Sequence, residues 1–409
     1  MLNSVELTSM KSQTSENDNI PKTSLVYKQS GSEDLCSHTS DYDSNSPSLR
    51  LNTICPYYTM FPLDFPLRLL KNAQKGDWVL DPFCGRGTTL FAARMRGLNS
   101  IGIDSNPIAA AVTAAKVAAA DANRVVGLAE KIMEESQVPD TIPQGDFWSC
   151  CYHPDTLKSI CIFREWFVKR CLKPEEIVLR ALLLGVLHGP LRKGKPGYLS
   201  NQMPRTYATK PVPAVRYWQR HSLIHQPYVD VLDLIKRRVE YSLLEMPPAS
   251  SSYVYCDDAR RTDELVEEDI SFQWVITSPP YFGMRSYKSD QWLRNWFLGG
   301  VEDVDYERAG QLTHKKELFV QDLAEVWQRI AKVCLPGAKL IIRFGSLSSE
   351  SVDAVDVLKQ SLKLADCGWQ IKTRRNAGSA SSGYRQSQQF NQPSKKAIPE
   401  FDLYARLEV

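Results

Sequence analysis

The chain has 409 residues, of which 43% are hydrophobic and 24% charged, with a formal net charge of +3. This length predicts two or three compact units of an ordinary globular protein, and the nearly neutral charge identifies no partner by itself. No segment approaches the roughly 18 apolar residues that cross a bilayer, and the N-terminus lacks a basic and then apolar leader, so we expect a cytoplasmic protein without membrane contact.

The first part of the chain changes character near residue 49. Residues 1–48 are rich in Ser, Thr, Asn and Asp, and we predict a flexible tail there. In residues 49–120 we predict a strand in GDWVLDPF, a glycine turn in CGRGTT, a helix in LFAARMRG, a second strand in NSIGIDSN and a second helix in PIAAAVTAAKVAAADA. This alternation of strands and helices indicates a parallel sheet with crossover connections.

Residues 121–250 show helical and irregular patterns without alternating strands, which predicts an insertion, and EEIVLRALLLGVLHG is a candidate buried helix. Strand patterns return in residues 251–409, at SSYVYCDDA, QWVITSPPY, AKLIIRFG, WQIKTRRN and AIPEFDLYARL. Helices are predicted at ELFVQDLAEVWQRIAKVC and from about 351 to 366. We interpret this segment as the second part of the sheet-forming core.

Ten cysteines are ordinary usage for this length and predict reduced, packed thiols. Cys150, Cys151, His153, Cys161 and Cys171 lie close together in sequence, but no Cys-x2-Cys pair is present. Their spacing suits no common zinc ligand set, so we predict no metal site.

The segment DPFCGRGTT, residues 81–89, places Gly85 and Gly87 between a predicted strand and helix, where a ligand can approach the backbone. A purely structural turn is the alternative. Asp104 ends the next predicted strand, 17 residues after Gly87, in a position to accept hydrogen bonds from two ribose hydroxyls. The pair indicates a nucleoside-containing cofactor, either NAD or S-adenosylmethionine (SAM). Leu90 stands where the dinucleotide fingerprint has its third glycine, so the pyrophosphate site expected for NAD is missing.

Two further strand ends carry polar groups. Asp258, in YVYCDDARR, is in a position to accept a hydrogen bond from the adenine amino group, with Asp257 as a weaker candidate and a helix cap as the alternative. TSPPY, residues 277–281, ends another strand at the edge where open parallel sheets bind ligands. Its prolines fix the backbone, so we interpret Ser278 and the neighbouring carbonyls as a rigid set of hydrogen-bond acceptors.

Together, DPFCGRGTT, IGIDSNP, CDDAR and TSPPY resemble the SAM-dependent amino-methyltransferases of DNA, most closely those that methylate N4 of cytosine. The resemblance covers roughly residues 51–120 and 251–350. It implies an α/β fold, the Rossmann-like class I SAM-methyltransferase arrangement of a seven-stranded, mostly parallel sheet with helices on both faces. The largely helical segment is then an inserted domain.

The resemblance also implies roles for single residues. The loop from Phe83 to Gly87 is expected to hold the methionine part of SAM, and Asp104 its ribose. The Ser278 hydroxyl and the Pro279 carbonyl are expected to face the target amino group, while Tyr281 stacks on a flipped-out base. The predicted cofactor-binding residues are Asp81, Phe83, Cys84, Gly85, Gly87, Thr88, Asp104, Ser105 and Asp258. The predicted catalytic residues are Ser278, Pro279, Pro280 and Tyr281.

The chemistry of an exocyclic amino group accounts for these residue types. Its lone pair is delocalised into the ring, so acceptors must draw the nitrogen toward tetrahedral geometry in line with the sulfonium methyl. A packed loop residue is the alternative for Tyr281. Ser278, where adenine enzymes more often carry Asp or Asn, favours cytosine N4 over adenine N6.

CPYYTMFPLDFP resembles a further SAM-contacting motif, which makes Tyr58 and Phe61 candidates, with core aromatics as the alternative.

A basic segment indicates contact with double-stranded DNA. Residues 191–238 contain ten Lys or Arg against two acids, together with the aromatic residues Tyr198 and Trp218. A solvated basic face is the alternative. Residues 372–396 are predicted as a basic flexible loop, and residues 285–297 as a loop flanking the flipped base. The DNA-binding candidates are Arg192, Lys193, Lys195, Arg205, Lys210, Arg216 and Arg285.

The glycine loop precedes TSPPY, which is the order usually called alpha in this family. We therefore predict that the insertion at 121–250 recognises the target sequence, within a restriction-modification or related defence system whose endonuclease acts separately; the oligomeric state stays open. The alternatives are adenine-N6 methylation of DNA, guanine-N2 methylation of RNA, and a catalytically inactive DNA-binding protein.

Overall fold

A computed structural model describes residues 27–29, 46–57, 61–136, 138–189, 195–200, 210–223, 226–282, 289–304, 315–345, 353–379 and 399–408. Within these ranges the strands are β1 Tyr27–Gln29, β2 Trp78–Asp81, β3 Asn99–Ile103, β4 Ser252–Tyr255, β5 Phe272–Thr277, β6 Cys334–Gly345, β7 Trp369–Ser379 and β8 Pro399–Leu407. The helices are α1 Asp64–Leu69, α2 Thr88–Met95, α3 Pro107–Val117, α4 Ala122–Glu135, α5 Asp146–Cys151, α6 Pro154–Lys169, α7 Pro174–Val186, α8 Pro211–Arg220, α9 Val231–Ser242, α10 Thr262–Leu265, α11 Trp292–Phe297, α12 Lys316–Lys332 and α13 Ala354–Ala365.

The strands form one eight-stranded sheet in the order β1-β4-β3-β2-β5-β6-β8-β7. The pairs from β4 through β6 are parallel, whereas β8 runs antiparallel to both β6 and β7. This arrangement confirms the predicted α/β fold with a mostly parallel sheet. Seven strands correspond to the predicted seven-stranded sheet, and β1 adds an eighth at its edge.

Strand β1 corrects part of the predicted flexible tail. Tyr27 pairs antiparallel with Val254 of β4 and is 3% exposed, so its ring is buried against the core. Lys28 forms an ion pair with Glu267 at 3.1 Å. A 3-10 helix also begins at Pro47. The remaining residues of the predicted tail, apart from Ser46, lie outside the described residues.

Helices cover both faces of the sheet because its central strands are apolar on both sides. On one face, α12 and α13 pack through residues such as Trp327 and Leu358 against Leu340 and Ile342 of β6. On the other face lie α1, α2 and α3, whose apolar residues are continuous with those of α4 to α9. The predicted buried helix is present as α7, which packs on α3.

The thiols that raised the question of a metal site lie within this helical region. Cys150, Cys151 and Cys161 are buried, and none of the three forms a disulfide. In the parts of the chain that the structure describes, no three His, Cys, Asp or Glu side chains come together as metal ligands do. Among the described helices, none has the length and apolar character to cross a membrane.

The parallel strands bring distant segments of the chain to one edge of the sheet. Asp81 at the end of β2 is in register with Gly102 of β3, and Ile103 with Tyr255 of β4. β5 lies on the other side of β2 and is parallel to it. The residues that follow β2, β3, β4 and β5 therefore meet at the carboxyl edge, where ligands bind in open α/β sheets.

Candidate active site

The glycine loop connects β2 to α2 through two residues in left-handed conformation, Gly85 at φ 52° and Gly87 at φ 74°. The Thr113 hydroxyl on α3 donates a hydrogen bond to the Gly85 carbonyl at 2.9 Å. A Cβ added at Gly87 would come within 2.7 Å of the Thr113 hydroxyl oxygen, whereas one added at Gly85 would meet nothing within 4 Å. Gly87 is thus required by packing, whereas a side chain at Gly85 would meet open space.

We expect Gly87→Ala to lower the free energy of unfolding by about 2 kcal/mol, because it adds both a steric clash and backbone strain. Gly127 provides the matched control, since it is exposed in α4 and its Cβ would meet nothing within 4 Å. Gly127→Ala is expected to raise stability by about 0.5 kcal/mol. Urea denaturation measures both, and an unchanged midpoint for Gly87→Ala would contradict the packing assignment.

Asp104 follows β3 and joins the glycine loop to the start of α3. One carboxylate oxygen accepts a hydrogen bond from the Gly85 backbone N–H at 2.9 Å, and the other from the Asn106 N–H at 2.8 Å. The Asn106 amide in turn donates to the Tyr57 hydroxyl at 3.0 Å. Burial raises the pKa of Asp104 to about 6, although both N–H groups act in the opposite direction. Each oxygen retains a second lone pair, so the carboxylate fits the two ribose hydroxyls of a nucleoside.

Asp81 is buried at the end of β2, where it is 1% exposed. The Thr277 hydroxyl donates a hydrogen bond to its Oδ1 at 2.6 Å, and the Phe83 N–H donates at 3.2 Å. Burial raises the pKa of Asp81 to about 6. Asp81 therefore ties the glycine loop to the TSPPY motif, and its contact with the cofactor stays a prediction.

The other predicted residues of the loop divide into two groups. Phe83 is partly exposed and Ser105 is exposed, so both are accessible to a ligand. Cys84 and Thr88 are buried. The Cys84 thiol lies 3.8 Å from the Thr113 hydroxyl, and burial raises its pKa. These two side chains belong to the packing beneath the loop, and contact of Cys84 or Thr88 with the cofactor stays a prediction.

Asp258 serves as a helix cap, the alternative considered for it. Its carboxylate accepts a hydrogen bond from the Arg260 backbone N–H at 2.9 Å and forms an ion pair with the Arg260 guanidinium at 2.6 Å. Burial acts to raise the pKa of Asp258, but the hydrogen bonds from Arg260 outweigh it and lower the pKa. Asp257 forms an ion pair with Arg261 at 3.0 Å. Adenine contact by either acid stays a prediction, and it must compete with these arginines.

The TSPPY motif extends past the end of β5, where Thr277 is buried. Ser278 is partly exposed, Pro279 buried and Pro280 exposed. No cis peptide bond occurs in the described ranges of the chain. Ser278 thus follows β5 at the carboxyl edge of the sheet, and its acceptor role stays a prediction.

Tyr281 is held from two sides. Its hydroxyl donates a hydrogen bond to Oε1 of Glu400 on β8 at 2.5 Å. Its ring lies edge-to-face with Phe344 of β6, at a centroid distance of 5.7 Å. The side chain is nevertheless partly exposed. The packed-loop alternative thus describes part of its surroundings, and stacking on a base stays a prediction for the exposed part.

Three DNA-binding candidates fall within the described ranges, and Lys195, Lys210 and Arg216 are all exposed. Lys210 forms an ion pair with Asp290 at 3.1 Å. Asp290 belongs to the 3-10 helix Ser289–Gln291, which follows the TSPPY motif in sequence. The other four candidates lie outside the described residues: Arg192, Lys193, Arg205 and Arg285.

Several aromatic residues predicted near the nucleic acid belong to the core. Trp218 and Tyr198 are 0% and 5% exposed, so neither is accessible to bases. Trp292 and Trp296 of α11 are also buried, which corrects the prediction of a flanking loop for residues 292–297. Phe61 is buried and lies 5.3 Å from the ring of Phe65, as its core alternative requires. The other aromatic candidate of that motif, Tyr58, lies outside the described residues.

The predicted flexible loop at 372–396 begins as a strand. Residues 372–379 belong to β7, which pairs with β8 at the edge of the sheet. The guanidinium of Arg374 lies 5.3 Å from the ring centre of Phe401, and that of Arg375 lies 5.2 Å from that of Tyr404. Both arginines are exposed, so they are placed along an ordered edge.

Comparison with known proteins gives local matches. A family model described as DNA methylase, N6_N4_Mtase, matches residues 4–115, which include the glycine loop and Asp104 but not TSPPY. The type II methyltransferase M.BglI of Bacillus subtilis is 48% identical over 62 residues, 15% of this chain and 17% of that protein. M.BsoBI of Geobacillus stearothermophilus is 63% identical over 35 residues, 9% of this chain and 7% of that protein. The chain thus spans less than a fifth of the length of these curated relatives.

Among solved structures, the rRNA methyltransferase aviRa from Streptomyces viridochromogenes is 14% identical, with a TM-score of 0.33 over 89% of this chain and 94% of that one. A putative rRNA-methylase from Clostridium thermocellum is 10% identical, with a TM-score of 0.31 over 86% of this chain and 100% of that one. Superpositions this loose indicate nothing about a substrate. The segment that contains the glycine loop and Asp104 is thus similar in sequence to DNA methylases, which supports S-adenosyl-L-methionine as the cofactor.

Proposed function

We propose that this protein is a site-specific DNA methyltransferase that transfers a methyl group from SAM to N4 of a cytosine flipped out of duplex DNA. The observation that carries the proposal is the hydrogen bond of 2.6 Å between Thr277 and Asp81. It joins the acceptor motif to the glycine loop, although the two segments are 196 residues apart in sequence. A cofactor seated on that loop and a base seated on that motif are thereby neighbours.

The division of labour follows from the positions of the side chains. Asp104 accepts hydrogen bonds from the ribose, and the open space at Gly85 receives the cofactor. When bound, SAM supplies an electrophilic methyl group. The Ser278 hydroxyl and the Pro279 carbonyl accept hydrogen bonds from the target amino group and so localise its lone pair on nitrogen. Tyr281 presents the exposed part of its ring to the unstacked base.

The exposed cations Lys195, Lys210 and Arg216 are suited to contact the negatively charged phosphate backbone of the duplex. Such contacts carry no sequence information themselves. Target recognition then belongs to the helical segment 121–250. Exchanging this segment for that of a relative is expected to change the methylated sequence. We place the enzyme in the cytoplasm as the modification partner of a separate restriction endonuclease.

The proposed reaction is tested by transfer of label from SAM to duplex DNA, followed by digestion to nucleosides and mass spectrometry. The expected product is N4-methylcytosine. N6-methyladenine would keep the DNA methyltransferase and replace its target base, whereas label in RNA guanine would replace the substrate class. Absence of transfer to DNA or RNA would leave only a DNA-binding role.

SAM affinity is expected to fall at acidic pH if Asp104 binds the ribose. Its carboxyl has a pKa of about 6, and only the ionised form offers acceptors to both hydroxyls. The SAM dissociation constant should therefore rise about tenfold between pH 8 and pH 5. Calorimetric titration of Asp104→Asn is the control, with weak binding and little change with pH. An equally steep pH dependence in that variant would assign the effect to another group.

A further inference from the structure

Glu400 is a buried carboxylate at the edge of the sheet that carries the candidate site. It is 6% exposed and pairs in register with Gly345, the last residue of β6. Its Oε1 accepts the hydrogen bond of 2.5 Å from the Tyr281 hydroxyl. Burying a carboxylate costs free energy unless the group is hydrogen-bonded or paired with a cation. The Tyr281 hydroxyl is therefore a main partner of Glu400, and the same hydrogen bond fixes the position of the tyrosine.

A second buried pair lies beside Glu400. Arg343 of β6 and Asp402 of β8 are opposite each other and form two hydrogen bonds, at 2.7 and 2.8 Å. Glu400 and Asp402 are two residues apart on one strand, so both side chains point to the same face as Arg343. The Arg343 guanidinium is held in place by the ring of Phe65, at 3.8 Å. The Arg343 guanidinium therefore lies on the same face of the sheet as the Glu400 carboxylate.

Tyr281 connects Glu400 to Ser278, because its hydroxyl interacts with both side chains. Burial raises the pKa of Tyr281 and the Glu400 carboxylate raises it further, while a hydrogen bond with the Ser278 hydroxyl acts in the opposite direction. The phenol therefore keeps its proton and directs it to Glu400. Its oxygen is left free to accept from Ser278, whose own lone pairs then face away from the tyrosine.

Building on the proposed function, we propose that Glu400 is a positioning residue for methyl transfer. By accepting the hydrogen bond from Tyr281, it fixes the ring that meets the target base and, beside it, the Ser278 hydroxyl. At 6% exposure, the Glu400 side chain is shielded from direct contact with a bound ligand. Its effect must therefore pass entirely through the tyrosine hydroxyl.

A double-mutant cycle tests this dependence. Tyr281→Phe keeps the ring and removes the hydroxyl, and Glu400→Gln keeps the size of the side chain and removes its charge. Each single variant is expected to lower kcat about tenfold with an unchanged SAM dissociation constant. The double variant should be no slower than the slower single variant, because Tyr281→Phe already removes the hydrogen bond that Glu400→Gln weakens by taking away the charge of its acceptor.

Ser361→Ala is the matched control for a merely structural role. The Ser361 hydroxyl accepts a buried hydrogen bond from Trp327 at 2.9 Å, within the core that also contains Phe344. This variant should lower Tm and leave kcat unchanged. Multiplicative losses in the double variant, wild-type kcat in Glu400→Gln, or an equal loss in Ser361→Ala would each overturn the positioning role. Absence of methyl transfer by the wild-type protein would instead overturn the proposed function on which it rests.

Discussion

Ser278→Ala is expected to lower kcat about 100-fold while the SAM dissociation constant stays at its wild-type value. In the proposed reaction the hydroxyl accepts a hydrogen bond that strengthens as the target nitrogen becomes tetrahedral, so it stabilises the transition state more than the bound substrates. Ser278 also lies on a different strand end from Asp104 and Gly85, to which we assign the proposed cofactor side of the site. The two functions are therefore separable by mutation.

Single-turnover methylation and calorimetric titration with SAM measure the two quantities. Ser149→Ala provides a control, because Ser149 is exposed on α5 and its hydroxyl bonds only the Asp146 carbonyl among the described contacts. It should change neither quantity. If Ser278→Ala weakened SAM binding as much as it lowered kcat, Ser278 would belong to the cofactor site and the acceptor assignment would be wrong.

The sheet could be predicted because its signals are local. The alternation of apolar strands with helices at 78–117 and the glycines of the loop that connects β2 to α2 are each contained in a few residues. The parallel arrangement then places Asp104 and TSPPY at one edge without further information. By contrast, β1 lies in a polar segment, and its residue Tyr27 pairs with Val254 of a distant strand. An edge strand of three residues is too short to show an alternation of apolar and polar residues.

The contacts that organise the site depend on strand order and were therefore missed. Thr277 lies within the TSPPY motif, but its hydrogen bond to Asp81 joins residues that are 196 positions apart in sequence. Tyr281 and Glu400 are 119 residues apart, and Glu400 is an ordinary acid in a strand pattern. Asn106 did carry a signal, since an Asn followed by Pro commonly caps a helix, and its side chain accepts from the Ile108 N–H at 3.0 Å.

The aromatic residues near the basic segment show how composition misleads. Tyr and Trp among lysines and arginines suggest stacking on bases, but Ala214 and Trp218 lie four residues apart on one face of α8. Both are buried, whereas the cations Lys210 and Arg216 of the same segment are exposed. Helical spacing was the signal that separates the buried ring from the surface charges.

Thr277→Val is expected to lower the free energy of unfolding by about 2 kcal/mol at pH 8, because it leaves the buried Asp81 carboxylate without its strongest donor. Burial already raises the pKa of Asp81 from 3.8 to about 6 in the folded protein. A carboxyl with a raised folded pKa binds more protons when folded, so its contribution to stability falls as pH rises through that interval. Losing the Thr277 donor raises the folded pKa further, and the deficit should be smaller at pH 5, where Asp81 is protonated.

Thr277→Ser keeps the hydroxyl and should restore most of the stability at both pH values. Because the bond joins the two halves of the site, Thr277→Val should also weaken SAM binding and lower kcat together, unlike Ser278→Ala. Urea denaturation at pH 5 and pH 8, with SAM titration at pH 8, measures these effects. A deficit of equal size at both pH values would mean that the lost energy comes from packing around the new methyl group, and the tie through Asp81 would then not be what holds the motifs together.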